Sequence, residues 1–109
     1  MKIQLFAYVL PAVIAGVAVP MALQMIPPNG FYGFRTPKTL SSPEIWYPAN
    51  RVSGWALIVS SLLAIVFNLC LRSSHPDWPQ QKLILWMGDS LGSSAVLAII
   101  ASFVYLSRL

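Results

Sequence analysis

Three long apolar runs, separated by polar segments, make up most of this chain. They cover residues 3–26, 52–71 and 83–107, in approximate bounds. A helix rises about 1.5 Å per residue, so about 20 apolar residues cross the hydrocarbon core of a bilayer. Each run is long enough to do this. The pattern therefore predicts an all-α membrane protein in which residues 1–109 form a single module of three transmembrane helices.

The first run shares some features with a secretion signal. Lys2 precedes it, and residues 15–18 are small enough to suit cleavage. The apolar stretch nevertheless continues beyond that point to Ile26. We therefore expect an uncleaved helix.

The composition agrees with a membrane location. The chain is 57% hydrophobic and only 9% charged, whereas about a quarter of the residues in a soluble domain are charged. The net charge of +4 is not accompanied by a basic patch with interleaved aromatic residues. Lipid head groups are therefore the expected partners, and nucleic acid is not.

Few residues could carry out catalysis or bind a metal. Cys70 is the only cysteine and His75 the only histidine, and the acidic residues are Glu44, Asp77 and Asp89. No nucleophile is paired with a base at a recognisable spacing, and no metal-ligand spacing is present. We expect a protein that is not an enzyme and that uses no cofactor or metal.

The segment between the first two runs is expected to fold at the membrane surface. Ser41 and Glu44 have the spacing of a capping box, and Pro43 suits a first helical turn. These features predict a short helix inside a structured interfacial loop, 29–51. Pro48 should end or kink that helix, and the second span should begin there. Trp46 should anchor the segment at the interface.

The polar residues of this loop suggest two interpretations. Guanidinium and hydroxyl groups close to a helix N-terminus could bind phosphate or carboxylate. Alternatively, the cations only set the topology of the chain among lipid head groups. The residues concerned are Arg35, Thr36, Thr39, Asn50 and Arg51. We expect Arg35 to be held inward by the bundle, with Thr36, Thr39 and Asn50 completing the shell around it. The charge counts on the two sides are nearly equal, and we favour a cytoplasmic location for the loop.

The third run contains a carboxylate, Asp89, which is unusual inside a membrane helix. We expect it to be buried in the bundle and hydrogen-bonded, with Asn68 of the second run as its first candidate partner. It could act as structural polar glue, or it could handle a proton or a ligand. Small residues four apart in the first and third runs predict close helix packing, either within the bundle or between copies in a homo-oligomer.

The loop sequence NGFYGFRTPKTLSSPEIWYPANRVSGW, 29–55, resembles the signature of the SdpI family of bacterial membrane proteins. The matching residues follow the pattern G-x-R-T-x-x-T and then W-x-x-x-N; they are Asn29, Gly33, Arg35, Thr36, Thr39, Trp46, Asn50, Arg51 and Gly54. This resemblance implies a multi-pass protein of the bacterial cytoplasmic (inner) membrane. It also implies a binding or signalling role in immunity against membrane-active peptide toxins, with a peptide toxin or a membrane protein as partner. The short loops and the small-residue faces leave a second function open, that of a small accessory or structural subunit of a larger membrane complex.

Overall fold

The computed structural model describes residues 5–109, which form three α-helices and contain no strand. Helix α1 covers Leu10–Ala22 and follows a π-helical turn, Leu5–Val9. Helices α2 and α3 cover Pro43–Ser74 and Gln80–Ser107. A 3-10 turn, Thr39–Ser41, lies between α1 and α2. The predicted start of the first span, at residues 3 and 4, lies outside the described residues.

Helices α2 and α3 are long and apolar enough to cross a membrane, whereas the first apolar helix, Ala7–Ala22, is shorter. Helix α2 packs against both of the others. The molecule is 52 Å long and 22 by 18 Å across, so it extends beyond a hydrocarbon core of about 30 Å. Many large apolar side chains of the three helices are exposed, as is expected where lipid is the solvent.

Helix α1 ends four residues before the predicted end of its apolar run. The amide of Met25 donates to the carbonyl of Pro20 over 2.9 Å, and that of Gln24 donates to Met21 over 3.2 Å. Gln24 has a left-handed φ of 59°. This is a Schellman arrangement, which satisfies the last helical carbonyls and turns the chain. The polypeptide therefore leaves the helix before it reaches the prolines at 27 and 28.

The short helix predicted from the capping box is not a separate element. The residue that precedes α2 is Ser42, whose side chain makes no capping hydrogen bond, and Ser41 instead bonds to the carbonyl of Lys38. Pro48 neither ends α2 nor starts a new helix, since α2 continues through it. The short helix that the loop does contain is the 3-10 turn.

The helices pack through small residues, although not through all of those predicted. A Cβ at Gly54 of α2 would lie 2.5 Å from the backbone nitrogen of Ala22 and 2.9 Å from the carbonyl oxygen of Ala18. Helices α1 and α2 therefore approach backbone to backbone at this point. Gly16 and Gly92, by contrast, are exposed and have no atom within 4 Å of such a Cβ. These two glycines of the predicted small-residue faces therefore make no close helix contact within the bundle.

Candidate functional site: the signature loop and the cleft beneath it

The loop begins with a turn that the side chain of Asn29 closes. Its Oδ1 accepts hydrogen bonds from the amides of Phe31 and Tyr32, over 2.8 and 2.7 Å. Its Nδ2 donates to the carbonyls of Pro27 and Tyr32, over 2.8 and 3.1 Å. Asparagine can form such local bonds because its short side chain carries both donors and an acceptor. Asn29 thus fixes the direction of the chain after the paired prolines.

Gly33 follows this turn and leaves no room for a side chain. Its φ is +114°, a conformation that residues with a Cβ rarely adopt. A Cβ here would also lie 2.6 Å from Oδ1 of Asn50 and 3.3 Å from the Trp46 ring. The backbone of the loop can therefore lie directly against α2.

Asn50 of α2 holds the next residue, Phe34, at both of its backbone groups. The Phe34 amide donates to Oδ1 of Asn50 over 2.7 Å, and Nδ2 of Asn50 donates to the Phe34 carbonyl over 3.2 Å. Nδ2 also donates to the Trp46 carbonyl over 3.0 Å. Asn50 is buried, so these bonds are made away from water, where an unmade bond is costly. We refer to the two hydrogen bonds between Asn50 and Phe34 as the Asn50 clamp.

Thr36 and Thr39 fix the chain on the other side of Arg35. The Thr36 amide donates to Oγ1 of Thr39 over 2.7 Å, and the Thr39 amide donates to Oγ1 of Thr36 over 3.0 Å. Thr39 is fully buried. Lys38, between the two threonines, donates from Nζ to the carbonyl of Leu106 over 2.8 Å. A cation at this position also complements the C-terminal end of the α3 dipole.

Trp46, in the first turn of α2, is a buried core residue and not the interfacial anchor that the sequence suggested. It is fully buried, and its Nε1 donates to the carbonyl of Ile26 over 2.7 Å. The contact ties the end of the α1 segment to the start of α2 across 20 residues of sequence. A buried indole N–H needs such a partner.

Arg35 is exposed and does not point into the bundle, contrary to expectation. Its Nη1 donates to the carbonyl of Gly30 within the loop. The side chains expected to complete a shell around it, Thr36, Thr39 and Asn50, are engaged with backbone groups instead. Arg51 is also exposed. The arrangement fixes the backbone on both sides of Arg35 and leaves its guanidinium at the surface.

A cleft of about 430 Å³ lies beside Arg35, where the loop meets all three helices. Its lining residues are Met21 from α1, Gly33, Phe34, Arg35 and Thr36 from the loop, Ser53 and Leu57 from α2, and Ala98, Ile99, Ser102 and Phe103 from α3. The Phe34 ring meets the Phe103 ring edge to face, with centroids 5.1 Å apart. Sequence reasoning missed Phe34, because neither its two backbone bonds nor its contact with α3 has a local signal in the sequence.

Asp89 and Asn68 do not form the predicted pair. Asn68 is fully buried and donates to the carbonyl of Ala7 over 3.0 Å, and its Oδ1 accepts from Ser90 over 2.8 Å. Asn68 therefore joins α2 to the π-helical turn and to α3. Asp89 is exposed on the outer surface of α3, beside Leu85 and Trp86. The expectation that it is buried in the bundle was wrong, because the adjacent residue, Ser90, faces inward in its place.

Tyr32 is the loop residue whose titration is perturbed. Its hydroxyl is buried and has no hydrogen-bond partner among residues 5–109. Desolvation disfavours the charged phenolate, so burial raises the pKa of Tyr32 above its ordinary value of 10.0. The side chain is therefore neutral at physiological pH.

Comparison with known proteins confirms the family resemblance of the sequence. Residues 25–107 match the model of the SdpI/YfhL protein family. The chain is also 34% identical over 65 residues to the uncharacterized protein YfhL of Bacillus subtilis (strain 168), in an alignment that covers 57% of this chain and 56% of the relative. The match thus spans about half the length of that relative. No solved structure matches the chain.

Proposed function

We propose, since this chain belongs to the SdpI/YfhL protein family, that it is a multi-pass protein of the bacterial cytoplasmic membrane with a binding or signalling role in immunity against membrane-active peptide toxins. Family membership and the two long apolar helices indicate a membrane protein. In this proposal the π-helical turn and α1 together form a third span, and the signature loop lies at the membrane surface.

The observation that supports a binding role is the fixed position of an exposed cation. The Asn50 clamp holds Phe34, and the threonine pair holds Thr36, so Arg35 lies between two immobilised residues. A charge that only set topology would not need an ordered backbone. Ordering in advance lowers the entropy cost of binding a partner. The loop is therefore suited to present Arg35 to a peptide or protein.

The side-chain cations at this end outnumber those at the opposite end, Lys2, Arg72 and Lys82, by only one, and on this margin we propose that this end is cytoplasmic. The loop and the C-terminal end of α3 meet here, as the contact between Lys38 and Leu106 shows. This end carries Arg35, Lys38, Arg51 and Arg108, with Glu44 as its acidic residue. An excess of Lys and Arg is typical of cytoplasmic loops.

A protection assay tests the proposed function. A bacterial strain that lacks the gene is challenged with membrane-active peptides, with and without a plasmid copy. Wild type should restore growth, whereas Arg35→Ala should not. Arg35→Lys should fail nearly as badly, because lysine keeps the charge but loses the planar fork of donors. The control is Arg108→Ala, an exposed cation at the same end. If the strain is no more sensitive than its parent to any peptide, the immunity role is wrong.

Asp89 favours a second candidate function, that of a subunit of a larger membrane complex. Its carboxylate lies on the outer face of α3, six residues into the predicted span that begins at residue 83, which places it about 9 Å inside the membrane. An ionised side chain facing lipid at that depth is costly. A neighbouring protein that covers this face would remove the cost.

Crosslinking distinguishes this candidate. A photoreactive residue at position 89 should capture a distinct membrane protein, or a second copy of the chain, in native membranes. A matched probe at Leu97, which is also exposed on α3, should capture less. If both positions crosslink only to lipid, this face has no protein partner.

A further inference from the structure

We propose that the cleft beside Arg35 binds the phosphate head group and part of one acyl chain of an anionic membrane phospholipid. This inference goes beyond the proposed function, and it stands whether or not the protein confers immunity. It rests on the polarity of the cleft, its opening and its charge.

The charged residue of the cleft lies at the end formed by the loop, and the residues furthest from the loop are apolar. Arg35 and Thr36 line the end formed by the loop. Leu57 of α2 and Ile99 of α3 line the part of the cleft that is further from the loop. A ligand with an anionic head and a hydrocarbon tail matches this order of groups. The volume, about 430 Å³, falls within the rough range of 300–1,000 Å³ that is typical of small-molecule sites.

The cleft opens sideways, toward the surface that faces lipid. Ile99 is 53% exposed and Phe103 is 51% exposed, although both line the cleft. An acyl chain could lie along this exposed edge of α3 without leaving the hydrocarbon. A water-soluble ligand would have no need of such an opening. The lateral opening therefore favours a lipid over a soluble anion or a peptide.

The charge at this end suits a phosphate. A guanidinium carries five N–H donors in a planar fork, and the contact that Arg35 makes is with the carbonyl of Gly30. Further donors therefore remain for a ligand. Phosphate is a preferred partner of arginine because the fork can donate two parallel bonds. Lys38 is held at the end of α3, so Arg35 is the cation positioned to meet the head group.

Native mass spectrometry of the purified full chain tests the proposal. The protein in detergent is titrated with phosphatidylglycerol, phosphatidylcholine and, separately, inorganic phosphate. One phosphatidylglycerol should be retained per chain, with an affinity at least about tenfold above that for phosphatidylcholine, or roughly 1.4 kcal/mol. Phosphatidylcholine carries the same phosphate, but its choline cation is repelled by Arg35 and leaves the head group without net charge. Arg35→Gln should remove this preference, and Arg35→Lys should reduce it.

Arg108→Gln provides the matched control, because it removes one exposed cation from the same end outside the cleft. It should leave the preference unchanged. Equal binding of the two lipids, or an unchanged preference in Arg35→Gln, would overturn the proposal. So would inorganic phosphate that competes fully with the lipid, which would indicate a site for free phosphate. If a membrane-active peptide binds in an Arg35-dependent manner and phosphatidylglycerol does not, the cleft is a peptide site.

A second variant covers the case in which Arg35 also supports folding. Ile99→Trp adds bulk at the exposed lip of the cleft and leaves the loop bonds intact. It should lower the retention of phosphatidylglycerol while the far-UV circular dichroism stays unchanged. Unchanged retention in this variant would place the lipid elsewhere. Loss of lipid binding with normal protection in cells would separate this site from the proposed immunity role.

Discussion

The side-chain amide of Asn50 bonds to both backbone groups of Phe34, accepting from its N–H over 2.7 Å and donating to its carbonyl over 3.2 Å. These contacts join α2 to a loop residue 16 positions earlier in the sequence. They determine the position from which the side chain of the next residue, Arg35, extends. Asn50 is therefore a structural residue that positions Arg35.

Replacing Asn50 by Asp tests the donor half of the clamp. Aspartate has nearly the same shape, but its carboxylate cannot donate to the carbonyls of Phe34 and Trp46. Leaving buried carbonyls without a donor should cost roughly 1–3 kcal/mol. Unfolding in detergent, followed by circular dichroism, should show this loss, and trypsin should cut faster after Arg35. Gln81→Glu, on the exposed face of α3, is the control and should change neither result.

Replacement by alanine should destabilise the protein at one glycine of the loop and not at another. Gly33→Ala places a Cβ 2.6 Å from Oδ1 of Asn50 at a φ of +114°. Steric conflict and backbone strain should together cost at least about 1–3 kcal/mol. Gly30→Ala has no atom within 4 Å of the new Cβ and should be nearly neutral. Equal melting temperatures for the two variants would show that the loop does not pack as described.

The approach of α1 to α2 predicts a similar contrast within the helices. A Cβ at Gly54 would lie 2.5 Å from a backbone atom of Ala22, which cannot move without shifting the helix. Gly54→Ala should therefore separate the helices and lower the unfolding temperature. Gly92→Ala meets open space and should be neutral or slightly stabilising, because alanine favours a helix by up to about 1 kcal/mol. A fully tolerated Gly54→Ala would contradict the close approach.

Tyr32 should make the loop sensitive to alkali. Burial raises its folded-state pKa, so the unfolded chain ionises first, and stability falls as the pH rises above about 10. Tyr32→Phe removes both the ionisation and the unpartnered hydroxyl. This variant should be at least as stable as wild type at pH 7, and it should lose less stability between pH 7 and 11. Unfolding titrations at the two pH values measure the difference.

The sequence predicts the helices well because their signal is local. The runs at 52–71 and 83–107 lie within α2 and α3, since long apolar stretches leave few alternatives to a helix. The face that each helix turns inward is harder to predict. Lipid permits apolar residues on every side, so periodicity does not show that Ser90 faces inward and that Asp89 does not. This is why the burial of Asp89 was predicted wrongly.

In the loop, too, features with a local sequence signal could be predicted, and contacts between distant residues could not. The prolines and the signature predicted a folded loop, and the hydrogen bonds of Asn29, Asn50 and the threonine pair agree with that prediction. The contact of Trp46 with Ile26, across 20 residues, could not be predicted, because nothing in the sequence identifies the acceptor. The adjacent serines also led to a wrong prediction, since the spacing of Ser41 and Glu44 fits a capping box, whereas the residue that directly precedes α2 is Ser42.

Hydrogen exchange at the backbone amide of Phe34 tests most directly whether Asn50 holds the loop. In the full-length protein in detergent, this amide should be strongly protected, and Asn50→Ala should bring its exchange close to the rate of an unstructured peptide. The Asn68→Ala variant removes a buried amide at the other end of α2 and should leave Phe34 protected. Rapid exchange of Phe34 in the wild-type protein would contradict the clamp, and with it the fixed placement of Arg35.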